Sequence, residues 1–191
     1  MAFERLFSES SKTFFRIEKQ DKYNIPQKLH FFGKTVENQI VRTFIEILYV
    51  AFALFLLYLP KIMGLNLGPH VINGLFWGAL AGLIGSALGG CMKDAPIEGF
   101  QLLKFFRSPI IGAIWGIIFS FFTNNYSILL FAGIGGERMT IKFYKTLMTT
   151  QTPGKFQENK VTRPEWLIKR KAIIIPYVIT WIVFFSLLVL A

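Results

Sequence analysis

Four long stretches of this chain are apolar and almost free of charge. They cover residues 40–60, 71–92, 109–136 and 172–191, and each is at or near the roughly 20 residues that an α-helix needs to cross a bilayer. A buried helix of a soluble protein explains one such stretch, but hardly four in a chain of 191 residues that is 53% hydrophobic. The sequence therefore predicts an all-α integral membrane protein with three to four transmembrane helices.

The segments outside these stretches are polar and largely basic. Residues 1–39 are predicted to form an N-terminal extramembrane or interfacial segment, followed by a helical membrane domain over residues 40–191. If residues 2–19 are helical, apolar and basic side chains occupy opposite faces, which suits a helix lying in the membrane interface or one packed on a partner subunit. Residues 137–171 form a connection with nine Lys and Arg residues. Further interfacial amphipathic segments are predicted at residues 97–106 and 137–148.

Small residues recur at a spacing of four in two of the apolar stretches. The first ladder consists of Gly74, Gly78, Gly82, Ser86 and Gly90. The second ladder opens the third stretch and consists of Ser108, Gly112, Gly116 and Ser120. Four-residue spacing places each ladder on one helical face, and helices in lipid associate closely where bulky side chains are missing. The ladders therefore predict a protein built around a tight helix contact.

The distribution of Lys and Arg residues bears on how the third stretch lies in the membrane. If every stretch crosses once, 11 of the 21 basic residues lie on one side and 10 on the other, so neither orientation is favoured. If residues 109–136 enter and return to the same side, the division becomes 20 to one. Thr123, Asn124 and Asn125 would then form the turn of a re-entrant hairpin. Its arms of 14 and 11 residues are too short to span the bilayer, and the alternative is one long tilted helix.

Ionisable residues are nearly absent from the apolar stretches, although catalysis or proton transport at depth usually needs one. Arg42 and Glu46 are spaced for an i, i+4 ion pair near the interface. His30 and His70 have no partner at the spacing of a metal or haem site. Ser86 has no histidine within a span to act as its base. The sequence therefore predicts no enzyme, no metal site and no cofactor, and we expect bound lipid.

Three asparagines near the apolar stretches allow two interpretations. Asn73, Asn124 and Asn125 can form interhelical hydrogen bonds or line a pore beside the glycine face. The first interpretation fits a non-catalytic structural or accessory subunit of a larger membrane assembly. The second fits a small homo-oligomeric pore or carrier, in which the turn at residues 123–125 forms the constriction.

The net charge of +10 indicates which partners to expect. In a soluble protein this charge would suggest nucleic acid, but no basic motif interleaved with aromatic residues is present. The basic residues flank the apolar stretches instead, where such residues contact anionic lipid headgroups and set orientation. The expected partners are therefore a bilayer with anionic headgroups, together with other membrane subunits or further copies of the chain, and not nucleic acid.

Overall fold

The computed structural model shows a predominantly helical chain that divides into two compact units. The first unit lies within residues 1–21 and 25–139, and the second within residues 22–24 and 140–191. The structure describes residues 7–8, 10–17, 19, 21, 23–25, 27–31, 34–149, 163 and 165–190.

Four helices in the described part are long and apolar enough to cross a membrane. Each lies largely within one of the four apolar stretches, so the prediction of a helical chain with membrane-spanning segments agrees with the structure. Their bounds are Gln39–Met63, His70–Cys91, Leu102–Ser120 and Trp166–Leu187.

The first long helix, α1, covers Gln39–Met63. It begins at Asn38, whose side-chain oxygen accepts hydrogen bonds from the backbone amides of Ile40 at 2.9 Å and Val41 at 3.4 Å, as an N-cap residue does. The sequence predicted an end at Pro60, but the helix continues for three residues. Gly64 ends it in a left-handed conformation, with a φ of 58°, and donates its N–H to the Pro60 carbonyl.

The second helix, α2, changes its hydrogen-bonding pattern half-way along its apolar stretch. It is α-helical over His70–Gly85 and π-helical over Ser86–Asp94, and a single α-helical turn follows at Ala95–Glu98. In a π-helix the backbone bonds join residues five apart, so successive side chains turn through a smaller angle. Residues spaced four apart therefore no longer lie on one face of the helix beyond Gly85.

The third apolar stretch is divided between two antiparallel helices. Helix α3 covers Leu102–Ser120, and helix α4 covers Tyr126–Phe143 before a π-helical turn at Tyr144–Met148. The break contains the predicted turn residues. Both helices are longer than the 14 and 11 residues expected within the apolar stretch, because parts of the flanking segments that we expected to be interfacial continue them. At 1.5 Å per residue, the arms of 19 and 18 residues are each about 28 Å long.

The core of the first unit lies where α1, α2 and α4 meet. Trp77 is fully buried, and its ring stacks on that of Tyr126 with centroids 6.0 Å apart. The Ser127 hydroxyl also ties α4 to α1 by donating to the Leu57 carbonyl at 2.6 Å. The buried cluster is completed by apolar side chains from all three helices: Leu56, Ala81, Leu129 and Leu130.

The N-terminal segment contributes short elements to the same unit. A π-helical turn at Ser11–Phe15 buries Phe14, whose ring lies 5.9 Å from that of Tyr49 on α1. Strands β1 (His30–Phe31) and β2 (Lys34–Thr35) pair in antiparallel fashion, with His30 opposite Thr35. The predicted helix over residues 2–19 lies partly outside the described residues, and the described part leaves helical geometry at Arg16.

The second unit contains the last long helix, α5, which covers Ile174–Leu190. A short α-helix at Trp166–Lys169 and a 3₁₀ turn at Arg170–Ile173 precede it. The buried Arg170 guanidinium donates to the carbonyls of Lys145 at 3.4 Å and Thr149 at 3.2 Å. This arginine therefore holds the chain that follows α4 within the same unit.

Candidate functional site: the glycine-packed helix interface

The two small-residue ladders lie against each other, with α2 and α3 antiparallel. A Cβ atom added at Gly74 would lie 2.5 Å from the Gly116 carbonyl oxygen and 2.8 Å from Ser120 Cβ. An added Cβ at Gly78 would overlap the carbonyl of Gly112. The two ladders therefore run in opposite directions along the interface. Neither helix has room for a methyl group at these positions.

The close contacts at this interface involve backbone atoms from both helices. Gly74 and Gly116 each present a carbonyl oxygen to the other's Cα, and Gly78 and Gly112 do the same. This geometry favours weak Cα–H···O contacts, which recur at close helix interfaces and contribute about 0.5–1 kcal/mol each. In lipid, where the hydrophobic effect does not drive helices together, such contacts and dense packing hold α2 to α3.

The first ladder reaches its partner helix at Gly82 but not at Gly90. An added Cβ at Gly82 would overlap the Ser108 carbonyl and lie 2.6 Å from Pro109 Cα, whereas one at Gly90 would meet nothing within 4 Å. Ser86, between them, is buried and donates its hydroxyl to the Phe105 carbonyl at 2.7 Å. Gly90 lies in the π-helical segment, where the change in helical geometry takes it off the interface.

Helix α4 joins this interface through glycines that were not singled out in the sequence. An added Cβ at Gly133 would lie 2.9 Å from Gly78 Cα, and one at Gly136 would overlap the Trp115 ring. The indole of Trp115 thus lies directly on the α4 backbone. The signal was present in the sequence, because Gly133, Gly135 and Gly136 form a glycine cluster within the third apolar stretch.

A buried carboxylate lies at one end of the interface. Ser108 on α3 donates a 2.8 Å hydrogen bond to Glu137 Oε1 on α4, and the exposed fractions of these residues are only 7% and 5%. Glu137 was predicted to lie in an interfacial segment outside the apolar stretches. It is buried because α4 continues past the end of its apolar stretch and keeps the same face toward α3.

Of the predicted turn residues, Asn125 caps α4 with its side chain, and Thr123 holds Asn125 in place. Asn125 Oδ1 accepts from the backbone amides of Ser127 at 3.0 Å and Ile128 at 3.4 Å. Thr123 Oγ1 accepts from the Asn125 amide at 3.1 Å. Asn124 is exposed between them. Asn125 therefore starts the helix, as Asn commonly does, and Thr123 stabilises the turn before it.

Asn73 stabilises the loop between α1 and α2. Its side-chain oxygen accepts from the Leu67 amide at 2.9 Å, and its amide group donates to Asn66 Oδ1 and to the Gly68 carbonyl, both at 3.0 Å. The residue is only 3% exposed. Its polar atoms are therefore bonded within the loop rather than directed at a neighbouring helix.

The described residues do not show the predicted ion pair of Arg42 with Glu46. The buried Arg42 guanidinium donates to the Arg16 carbonyl at 3.2 Å and to the Gln39 side chain. Oε2 of Glu46 is buried without a hydrogen-bond partner. Arg42 instead joins α1 to the N-terminal segment, which lies on the same side of α1 as the Gln39 side chain.

Metal-ligating side chains are dispersed through the described part of the chain. No group of three or more His, Cys, Asp and Glu residues lies close enough there to hold a metal ion. His30 is buried beside the β-hairpin, with Nδ1 3.0 Å from the Lys28 carbonyl oxygen. His70 lies at the start of α2 and meets Phe121 edge to face, with ring centroids 5.2 Å apart.

No family model, curated protein or solved structure matches this chain. Its function must therefore be argued from its own geometry. The feature best defined in that geometry is the glycine-packed interface of α2, α3 and α4.

Proposed function

We propose that this chain is a non-catalytic membrane protein that serves as a structural or accessory subunit of a larger membrane assembly. The observation that carries the proposal is the use of polar side chains within the helical bundle. Ser86, Ser108 and Asn73 each hold a helix or a loop in place through hydrogen bonds. Ser86 donates to a backbone carbonyl and Asn73 is bonded within its loop, while Ser108, which is paired with the Glu137 carboxyl group, is more than nine-tenths buried between helices.

The surface available for contact with neighbouring subunits is not the small-residue face that the ladders suggested. Because the ladders pack against each other, the small residues are occupied within the chain. The outer face of α1 instead carries exposed apolar side chains, among them Phe44 and Leu48 at 62% and 53% exposure. This face contacts lipid or neighbouring subunits in the proposed assembly.

The same proposal includes a topology in which the third apolar stretch crosses the membrane twice. Helix α3 is one of the four helices that are long and apolar enough to cross a membrane, and α4, at about 27 Å, is close to the roughly 30 Å thickness of the hydrocarbon core, with Glu137, Arg138 and Lys142 in its last two turns. Gly133 on α4 lies beside Gly78 on α2, which supports a full-length helix in the bundle rather than a short re-entrant arm. This arrangement also keeps the 20-to-one division of basic residues.

The alternative is a small homo-oligomeric pore or carrier with Thr123, Asn124 and Asn125 at its constriction. The exposed amide of Asn124 at the α3–α4 turn is the feature that favours it. Against it, the Asn125 side chain caps α4 and the Thr123 side chain accepts a bond from the turn backbone, so both have less freedom to contact a passing ion.

Two measurements separate these functions. An accessory subunit should co-purify after gentle solubilisation with several different proteins, and vesicles reconstituted with this chain alone should show no selective ion flux. A pure homo-oligomer whose selective flux is abolished by Asn124→Ala would contradict the accessory role and establish the pore. Ser11→Ala, at an exposed position in the N-terminal segment, is the control that should change neither result.

A further inference from the structure

A polar cavity of about 220 Å³ lies between the α1–α2 loop and the α3–α4 turn. Asn66 and His70 line it from one loop, and Thr123, Asn124 and Tyr126 from the other. The edge-to-face contact of His70 with Phe121 shows that the two loops are held next to each other. The cavity opens at the end of the bundle where α1 and α3 end and α2 and α4 begin.

The side chains around the cavity divide into bonded and available groups. Asn73, which also lines the cavity, uses its side chain to fix the α1–α2 loop. Among the described residues, no hydrogen bond is made by the Asn66 amide nitrogen, the Asn124 side chain or the Tyr126 hydroxyl. The Thr123 hydroxyl accepts one bond from the backbone and keeps its proton for another. Several donors and acceptors thus converge on one space without being needed to hold the fold.

The chemistry of these groups restricts the ligand. Amide, hydroxyl and imidazole side chains can each donate and accept hydrogen bonds, which matches the hydroxyl groups of a ligand better than it matches an ion. No Asp, Glu, Lys or Arg side chain lines the cavity, and a charge bound there would lack an opposite partner. The Tyr126 ring, stacked on the buried Trp77, adds a rigid aromatic wall.

We propose that this cavity binds a neutral, hydroxyl-rich group of about the size of one sugar ring. Its volume is smaller than the roughly 300–1,000 Å³ of sites for drug-sized ligands, which restricts it to a single ring. Such a ring is presented either by the headgroup of a glycolipid or by a free sugar in solution. The proposal goes beyond the accessory role and does not depend on it.

The test measures thermal unfolding of the full chain in phosphatidylcholine nanodiscs. The first probe is a monoglucosyl diacylglycerol in the disc, the second is free methyl glucoside, and the third is phosphatidylglycerol. A bound ligand at about ten times its Kd should raise the unfolding midpoint by about 3–6 °C. The double variant Asn124→Ala, Tyr126→Phe removes groups that make no described hydrogen bond, so it should fold but lose the shift. Tyr58→Phe is the matched control and should keep the shift.

The possible results have separate meanings. A shift with the glycolipid alone, lost in the double variant, supports a headgroup site, and a shift with methyl glucoside as well supports a site for free sugar. A shift with phosphatidylglycerol alone would overturn the proposal in favour of an anion site. No shift with any probe, or an equal shift in the double variant and the wild type, would also overturn it. None of these results depends on co-purifying subunits, so the two proposals fail independently.

Discussion

Ser108 and Glu137 join α3 to α4 at a buried position where the glycine contacts end. The serine hydroxyl donates to Glu137 Oε1 at 2.8 Å, and both residues are more than nine-tenths buried. Gly82 on α2 contacts the backbone of the same serine. Ser108 thus connects three helices, because its carbonyl contacts α2 and its hydroxyl bonds to α4.

Ser108→Ala should destabilise the protein without changing its packing. The substitution removes only the hydroxyl, and taking away one partner of a buried polar group typically costs about 1–3 kcal/mol. Glu137→Gln, which keeps a side-chain oxygen to accept the bond, should cost less than Glu137→Ala. Thermal unfolding in detergent provides the measurement, with the exposed Ser11→Ala as control. Equal midpoints for Ser108→Ala and Ser11→Ala would show that the hydrogen bond contributes nothing.

Gly82→Ala and Gly90→Ala should have opposite effects although both positions belong to the same ladder. At Gly82 the new methyl group overlaps the α3 backbone, and overpacking of this kind costs about 1–3 kcal/mol. At Gly90 the methyl group meets nothing within 4 Å, so the lower backbone entropy of Ala in the unfolded chain should leave stability unchanged or raise it by up to about 1 kcal/mol. The difference in free energy of unfolding between the two variants is the quantity to measure. Similar destabilisation at both positions would contradict the π-helical displacement of Gly90.

Asn73→Ala should weaken the loop between α1 and α2. The substitution leaves the Leu67 amide and the Gly68 carbonyl without their partner, and because both residues are exposed, each lost hydrogen bond should cost about 0.5–1.5 kcal/mol. Limited proteolysis of that loop and the unfolding midpoint should both report the change. Asn124→Ala is the matched control, because Asn124 is exposed and surface substitutions usually stay within about 0.5 kcal/mol. Loss of stability in the control but not at Asn73 would reverse the assigned roles.

Single cysteines should show Lys104 and Lys142 on one side of the membrane and Lys61 on the other. The background is Cys91→Ala, which removes the only native cysteine, and the readout is labelling by a membrane-impermeant maleimide. A third apolar stretch that crosses twice returns the chain to its starting side between Lys104 and Lys142. Labelling of these two positions from opposite sides would show instead that the stretch crosses once.

The sequence by itself indicated a helical chain with apolar segments long enough to cross a membrane, and it located the break between α3 and α4. Uncharged stretches of about 20 residues leave a backbone in lipid no choice but helix, because each N–H and C=O group must be bonded within the segment. The turn at Thr123 to Asn125 was also readable, since Asn and Thr side chains can satisfy the free amides at a helix start. These are local properties, set by neighbouring residues along the chain.

Only the tertiary structure decided which residues of a repeating pattern meet a partner. Gly82 and Gly90 look equivalent in the sequence, but the helix between them changes from α to π geometry, and the rotation takes Gly90 off the interface. Glu137 looked interfacial, yet the continuation of α4 carries it against Ser108. Asn73 looked free to line a pore, but a loop six residues away folds back onto its side chain. Each outcome depends on how separate segments of backbone approach each other or on the rotation that accumulates along a helix, and the spacing of residues alone encodes neither.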